Sequence, residues 1–128
     1  MKFGTGPTTI PVEGESREHS FQGMVEQVRF IKECDFDFIG LGHHYFATPT
    51  DLLHPIPAIA RLAADAHPMS LNCLLLLPFF NPIDLAETLQ TLDVVCNGKL
   101  IITMAQGWKD VEFKGFGINR KERASRFI

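Results

Sequence analysis

Three apolar runs begin near positions 36, 70 and 100, and segments with helical periodicity lie between them. Ser70–Leu77 is a continuous leucine-rich run, and Leu100–Met104 is short and almost wholly apolar. Strands that are apolar on both faces belong to parallel sheets covered by helices. One strand and one helix per roughly 30 residues is the rhythm of a βα barrel, where eight units take about 250 residues. With 128 residues the fold expected is α/β: the N-terminal half of a TIM (β/α)8 barrel, about four parallel strands alternating with helices. The alternative is a small doubly wound sheet of the flavodoxin kind, although such a sheet would normally fit a fifth strand at this length. Residues 1–128 read as a single incomplete barrel domain, the N-terminal part of a longer enzyme or a truncated copy of one. Half a barrel leaves a sheet edge unpaired, so these residues alone are expected to be poorly soluble or inactive.

The periodicities fill in the elements. Lys2–Gly6 offers a short first strand, and Pro7–Glu15 is a loop by composition. A first helix should begin between Ser16 and Ser20 and run to about Glu33, with Phe21, Met24, Val28 and Ile31 on one stripe. Asp35–Leu41 is the second strand, followed by His43-His44-Tyr45-Phe46 and a polar loop over 47–54. Pro55–Ala66 reads as a second helix with Ile56, Ile59, Ala60 and Ala63 on one face, closed by Pro68. After Ser70–Leu77, Asn81 is a good N-cap and Pro82 suits the first position of a third helix whose stripe is Leu85, Leu89, Leu92 and Cys96. Asn97-Gly98 is a helix stop, Leu100–Met104 the fourth strand and Ala105-Gln106-Gly107 its turn. Lys114–Arg120 reads as loop, and Lys121–Ile128 as the start of a fourth helix.

Charge and composition narrow the function. A formal net charge of −3 with 21% charged residues gives no sign of a nucleic-acid or acidic-membrane partner. The longest apolar stretch, Cys73–Phe80, is far below the roughly 20 residues a bilayer needs, and residues 1–20 lack a secretory core. Three cysteines, Cys34, Cys73 and Cys96, have no CxxC spacing. They read as reduced, mostly buried thiols of a cytoplasmic protein.

If the strands are parallel, every strand-to-helix loop opens on one face. Pro7, His43 and His44, Pro78–Asn81 and Gln106–Trp108 then line a common rim, where barrel enzymes keep their active sites. Adjacent histidines at a strand end point opposite ways, so at most one faces the mouth and no metal site is expected. One histidine there suits general acid–base work; a hydrogen bond that merely holds the loop fits the position equally well. Trp108 serves either as a wall for a flat ligand or as a rim aromatic packed on its own loop. No GxGxxG or P-loop lysine is present, so a Rossmann nucleotide site is not supported.

Several short motifs, in unbroken order from about Lys2 to Arg126, resemble the bacterial luciferase-like flavin monooxygenases. They are His43-His44 after the second strand, Leu75-Leu76-Leu77-Pro78, Asn81-Pro82 and Ala86-Glu87 around the third, then Gly98-Lys99-Leu100, Gly107-Trp108, Glu112-Phe113 and Phe116-Gly117. The resemblance implies an oxidoreductase in which reduced FMN and O2 oxygenate a small organic substrate such as an aldehyde. A flavin reductase would be its partner, and helices 55–66 and 82–96 a homodimer contact. It also implies His43 as the catalytic histidine, for proton transfer or stabilisation of the flavin–oxygen adduct. By the same resemblance Gln106 and the Cys73-Leu74 peptide, a non-prolyl cis bond in relatives, position the flavin ring, with His44 and Trp108 toward substrate. Gln106 stands where luciferases have arginine. Gly42 stands where the family commonly has an acid, which removes an orienting partner for the imidazole. Glu112-Phe113, Arg120 and Arg123 are expected to brace the loop. The flavin phosphate would be held largely by later strands. Two alternatives share the fold: a deazaflavin-dependent hydride-transfer enzyme, and a non-catalytic flavin-binding or dimerisation module.

Overall fold

The computed structural model describes residues 1–7, 10, 14–46 and 52–127. Four strands form one sheet: β1 (Gly4–Thr5), β2 (Phe38–Leu41), β3 (Ser70–Leu76) and β4 (Leu100–Ala105). All neighbours are parallel and the spatial order is β1-β2-β3-β4. A flavodoxin-like sheet would carry β1 inside, between β2 and β3. Sequential order with one helix per crossover is the winding of a barrel, as the strand rhythm predicts.

The helices α1 (Arg17–Glu33), α2 (Pro55–Ala66) and α3 (Pro82–Val95) fall where the periodicity places them. Ser16 caps α1 by accepting from the His19 N–H, and the Asn81 side chain accepts from the Ile83 and Asp84 N–H groups to start α3. α2 packs against α1, α3 and β3. Arg29 of α1 and Arg61 of α2 both bond the Asp65 carboxylate, while Lys32 Nζ donates to the Asp65 carbonyl. This knot joins the first two helices.

The core lies between this helical layer and one face of the sheet. Ile39 and Leu41, then Leu71, Cys73 and Leu75, alternate inward along β2 and β3. They meet Val28, Ile31, Ile59, Leu62, Ala63, Leu85 and Leu92 from the helices. Each full aliphatic burial there contributes about 1.5–3 kcal/mol relative to exposure. The opposite face is the barrel side, carrying Gly40, Asn72, Leu74, Ile101 and Thr103. Thr103 Oγ1 donates to Asn72 Oδ1 across it at 2.8 Å.

Several expectations are corrected. β2 starts at Phe38 rather than Asp35, because Asp37 spends its groups on Phe3: it accepts from the Phe3 N–H and donates to the Phe3 carbonyl. β3 ends at Leu76, and Leu77–Phe79 is a 3₁₀ turn. β4 is not covered on both faces: Ile101 on the barrel side is 40% exposed, and Met104, on the helix side by its pairing with Leu75, is 56% exposed, since β4 has no outer partner among the described residues. The helix after β4 is α4 (Asp110–Gly115), in a stretch read partly as loop, whereas Arg120–Glu122 is a 3₁₀ turn where a fourth helix was expected to begin. Val25, which the stripe omitted, is buried, while Phe21 is only partly so. Cys34 is exposed; Cys73 and Cys96 are buried. Most of the loops expected over Pro7–Glu15 and 47–54, and the last residue of the expected fourth helix, lie outside the described residues.

Candidate active site

Parallel strands deliver their following loops to one end of the sheet, and the side chains there form a continuous aromatic cluster. His43 and Tyr45 come from the segment after β2, Phe79 and Phe80 from the turn after β3, and Phe113 and Phe116 from α4. Tyr45 contacts Phe79 and Phe116, with ring centroids 5.7 and 4.6 Å apart. Phe79 stacks on Phe116 at 4.8 Å and meets Phe113 edge-on at 4.8 Å. The turn into α4 passes through Gly107 at φ 75°, a left-handed conformation that glycine adopts without strain. Arg126 Nε donates to the Pro78 carbonyl, and Arg120 pairs with Asp110, so the 3₁₀ segment at the C-terminal end braces this rim.

The two adjacent histidines divide between the faces of the sheet. His43 continues the inward alternation of Ile39 and Leu41 and is 2% exposed. Its Nδ1 accepts from the Leu76 N–H at 3.3 Å, and its ring packs on Tyr45, on His54 at the start of α2 and on Phe80. Burial, with smaller contributions from the His54 and His44 charges, lowers its pKa to about 4. A neutral ring accepting at Nδ1 carries its proton on Nε2, which is buried without a partner among the described residues. In this structure His43 is thus buried within the aromatic cluster, with Nδ1 engaged by the Leu76 N–H and Nε2 closed off from solvent.

His44 is the histidine on the open side. Its side chain is 28% exposed, its ring stands edge-on to Trp108 at 6.1 Å, and its Nδ1 lies 3.0 Å from Glu112 Oε1. Glu112 is fully buried in α4, and the same oxygen accepts from the Tyr45 N–H at 2.9 Å. The acid missing at Gly42 is thus supplied from the fourth strand's loop. Burial, then the Glu112 charge, raises the pKa of the Tyr45 phenol.

The remaining expected site residues are placed as follows. Trp108 is 63% exposed beside His44, with Lys109 Nζ 5.6 Å from its ring centre. Gln106 is exposed at the end of β4. Leu74 is half-buried on the barrel side, paired with Thr103. Cys73 is fully buried on the helix side, so its thiol does not reach the mouth; burial and then Cys96 push that thiol up to about 12. The Cys73-Leu74 peptide is trans, and the cis bond among the described residues is His67-Pro68. Cys73 sits mid-ladder, paired with both Leu41 and Ile102. Glu112, Tyr45 and His54 are members of the cluster that residue spacing did not single out. Among the described residues no group of three or more His, Cys, Asp or Glu could hold a metal.

An exposed indole stands beside a partly exposed imidazole, Leu74 and the bare Gly40 lie on the barrel side of the sheet, and Glu112 Oε2 is buried without a partner among the described residues. The luciferase-like monooxygenase family model matches residues 1–128. The chain belongs to this family. The crystal structure of monooxygenase RslO1 from Streptomyces bottropensis is similar, with a TM-score of 0.86, 27% identity, and 99% of this chain matched to 40% of that one. The oxygenating constituent of 3,6-diketocamphane monooxygenase of Pseudomonas putida, solved with FMN, has a TM-score of 0.84 and 17% identity, matching 98% of this chain to 36% of its own. At that identity the likeness is one of fold. The Sinorhizobium fredii protein y4vJ is 25% identical over 114 residues, 88% of this chain and 32% of that protein. The luciferase-like chain described here thus spans about a third to two fifths of the length of these relatives.

Proposed function

We propose that this chain supplies the flavin-ring and substrate side of a reduced-flavin monooxygenase that oxygenates a small organic substrate such as an aldehyde. The observation that carries the reading is the meeting of His44, Glu112 and Trp108 from two different loops on the open side of a parallel, barrel-ordered sheet. When bound, reduced FMN would supply the two electrons that divide O2 between an oxygen placed on the substrate and a water.

The chain's own residues have the remaining tasks. Trp108 and Leu74 give the ring apolar surface, and the Gln106 amide can donate to a flavin carbonyl. The Phe79–Phe113–Phe116 cluster keeps water from the base of the site. His44 holds or moves a proton at its imidazole. His43 pins the segment after β2 to the end of β3. In the same reading the reduced flavin arrives from a separate reductase, in the cytoplasm. A homodimer forms along α2 and α3, where a groove of about 370 Å³ runs past Ile56, Ala60, Thr91 and Val95 and where Ile83 and Val94 are exposed.

The test is anaerobic titration of the full-length protein with reduced FMN, followed by admission of O2 in the presence of an aliphatic aldehyde. Uptake of one O2 per reduced FMN with formation of the acid is expected. Turnover with a reduced deazaflavin and no oxygen uptake would replace this reading by hydride transfer. A stable dimer that binds neither would replace it by a non-catalytic module.

A further inference from the structure

Building on the function proposed above, we propose that Glu112 is a positioning residue that sets the tautomer of His44, leaving Nε2 of that ring as the proton acceptor at the mouth. Glu112 is 0% exposed, yet it lies on a six-residue helix whose other acid, Asp110, is out in solvent. A carboxylate is kept in such a place only by specific partners. Its partners are the Tyr45 N–H and His44 Nδ1, both on Oε1. On this proposal Oε1 accepts from both groups, so the ring hydrogen between them is on Nδ1. Nε2 then carries the lone pair. It sits on the far side of the ring from the buried acid, and the ring itself is partly exposed against Trp108.

The second bond matters as much as the first. Tyr45 follows His44 directly, so one oxygen holds both the ring and the backbone behind it. This fixes the orientation of the imidazole as well as its tautomer. When Nε2 takes a proton from a substrate group, the imidazolium forms beside the carboxylate, and the proton returns from the same nitrogen. Oε2 is buried with no partner among the described residues. His43 cannot substitute, since its Nδ1 is occupied by the Leu76 N–H and its Nε2 is closed off.

The experiment uses the full-length protein with reduced FMN and aldehyde. Glu112→Gln keeps an acceptor oxygen at that position; Glu112→Leu fills the space without one. Ring ¹⁵N spectra of His44 report which nitrogen bears hydrogen. The expected result is Nδ1–H in the parent and in Glu112→Gln, and Nε2–H in Glu112→Leu. The turnover number should fall about tenfold or more in Glu112→Leu, with KM for reduced FMN within about twofold and Glu112→Gln in between. In a His44→Asn background the same Glu112 substitution should lower turnover no further, an outcome that a purely structural role would not give. Should Glu112→Leu fail to fold, Glu112→Gln carries the same cycle. One His44 tautomer throughout, or equal losses with and without His44, would overturn the proposal. If no flavin supports oxygen uptake, the reaction proposed above fails, and the ring spectra still decide the role of Glu112.

Discussion

Lowering the pH from 7 to 5 should destabilise this protein, and His43 should be the main reason. Its pKa is lowered from 6.5 to about 4, first by burial and then by the His54 and His44 charges. The folded state therefore holds His43 neutral at pH values where the unfolded chain protonates it. Between the two values the unfolded state binds one more proton, so stability rises with pH in that window. The contribution is fully present above 6.5 and is lost as pH falls toward 4. At 1.36 kcal/mol per pH unit, that gap corresponds to about 3 kcal/mol, of which about 2 kcal/mol is gone by pH 5. His54 is lowered by burial too and adds in the same direction. Asp65 and Glu18 are also held below their ordinary carboxylate values, so their contributions too are lost on acidification. Urea unfolding at pH 7, 6 and 5 measures the slope, and His43→Asn isolates its source. The asparagine Oδ1 can still accept from the Leu76 N–H, but the side chain does not titrate. The variant should start lower at pH 7 and lose much less on acidification. Parallel losses in both proteins, or a His43 ring that titrates near 6.5, would refute the reasoning.

Gly6→Ala places a Cβ 2.8 Å from the Gly40 carbonyl oxygen, a backbone atom that cannot step aside, so β1 should detach from β2 at a cost of about 1–3 kcal/mol in thermal unfolding. Trp108→Ala removes a 63% exposed ring, so stability should change by less than about 0.5 kcal/mol. The same variant should weaken reduced-FMN binding by about three- to tenfold, read by equilibrium dialysis. Val94→Glu, at a 74% exposed position on α3, should leave the melting temperature unchanged and convert a full-length dimer to monomer in sedimentation.

Much of the architecture was legible in the chain because burial on both faces writes itself as continuous apolar sequence. Ser70–Leu76 could be nothing but an inner strand, and Ser16, Asn81 and Pro82 fixed helix starts through local hydrogen bonding. What misled was exposure rather than identity: Leu100–Ala105 reads as doubly covered, yet one face of it is open. At the site, alternation divides His43 from His44, and only the resemblance favours His43. Continuing the alternation from Ile39 and Leu41 would have assigned His43 to the helix side. The Glu112-Phe113 pair reads as a brace for the loop, but the residues Glu112 holds are not legible in the sequence. Its partner lies 68 residues away, and no local periodicity reports a contact between loops of different strands. The one available signal was chemical, an imidazole at His44 with no acid beside it in sequence and a Glu-Phe pair on another loop of the same rim.

A crystal structure of the full-length protein with FMN bound tests the central claim most directly. The isoalloxazine ring is predicted to lie at the C-terminal ends of β2, β3 and β4, against Trp108 and within reach of His44. A flavin seated in the groove between α2 and α3, or on the helix side near His43, would contradict it.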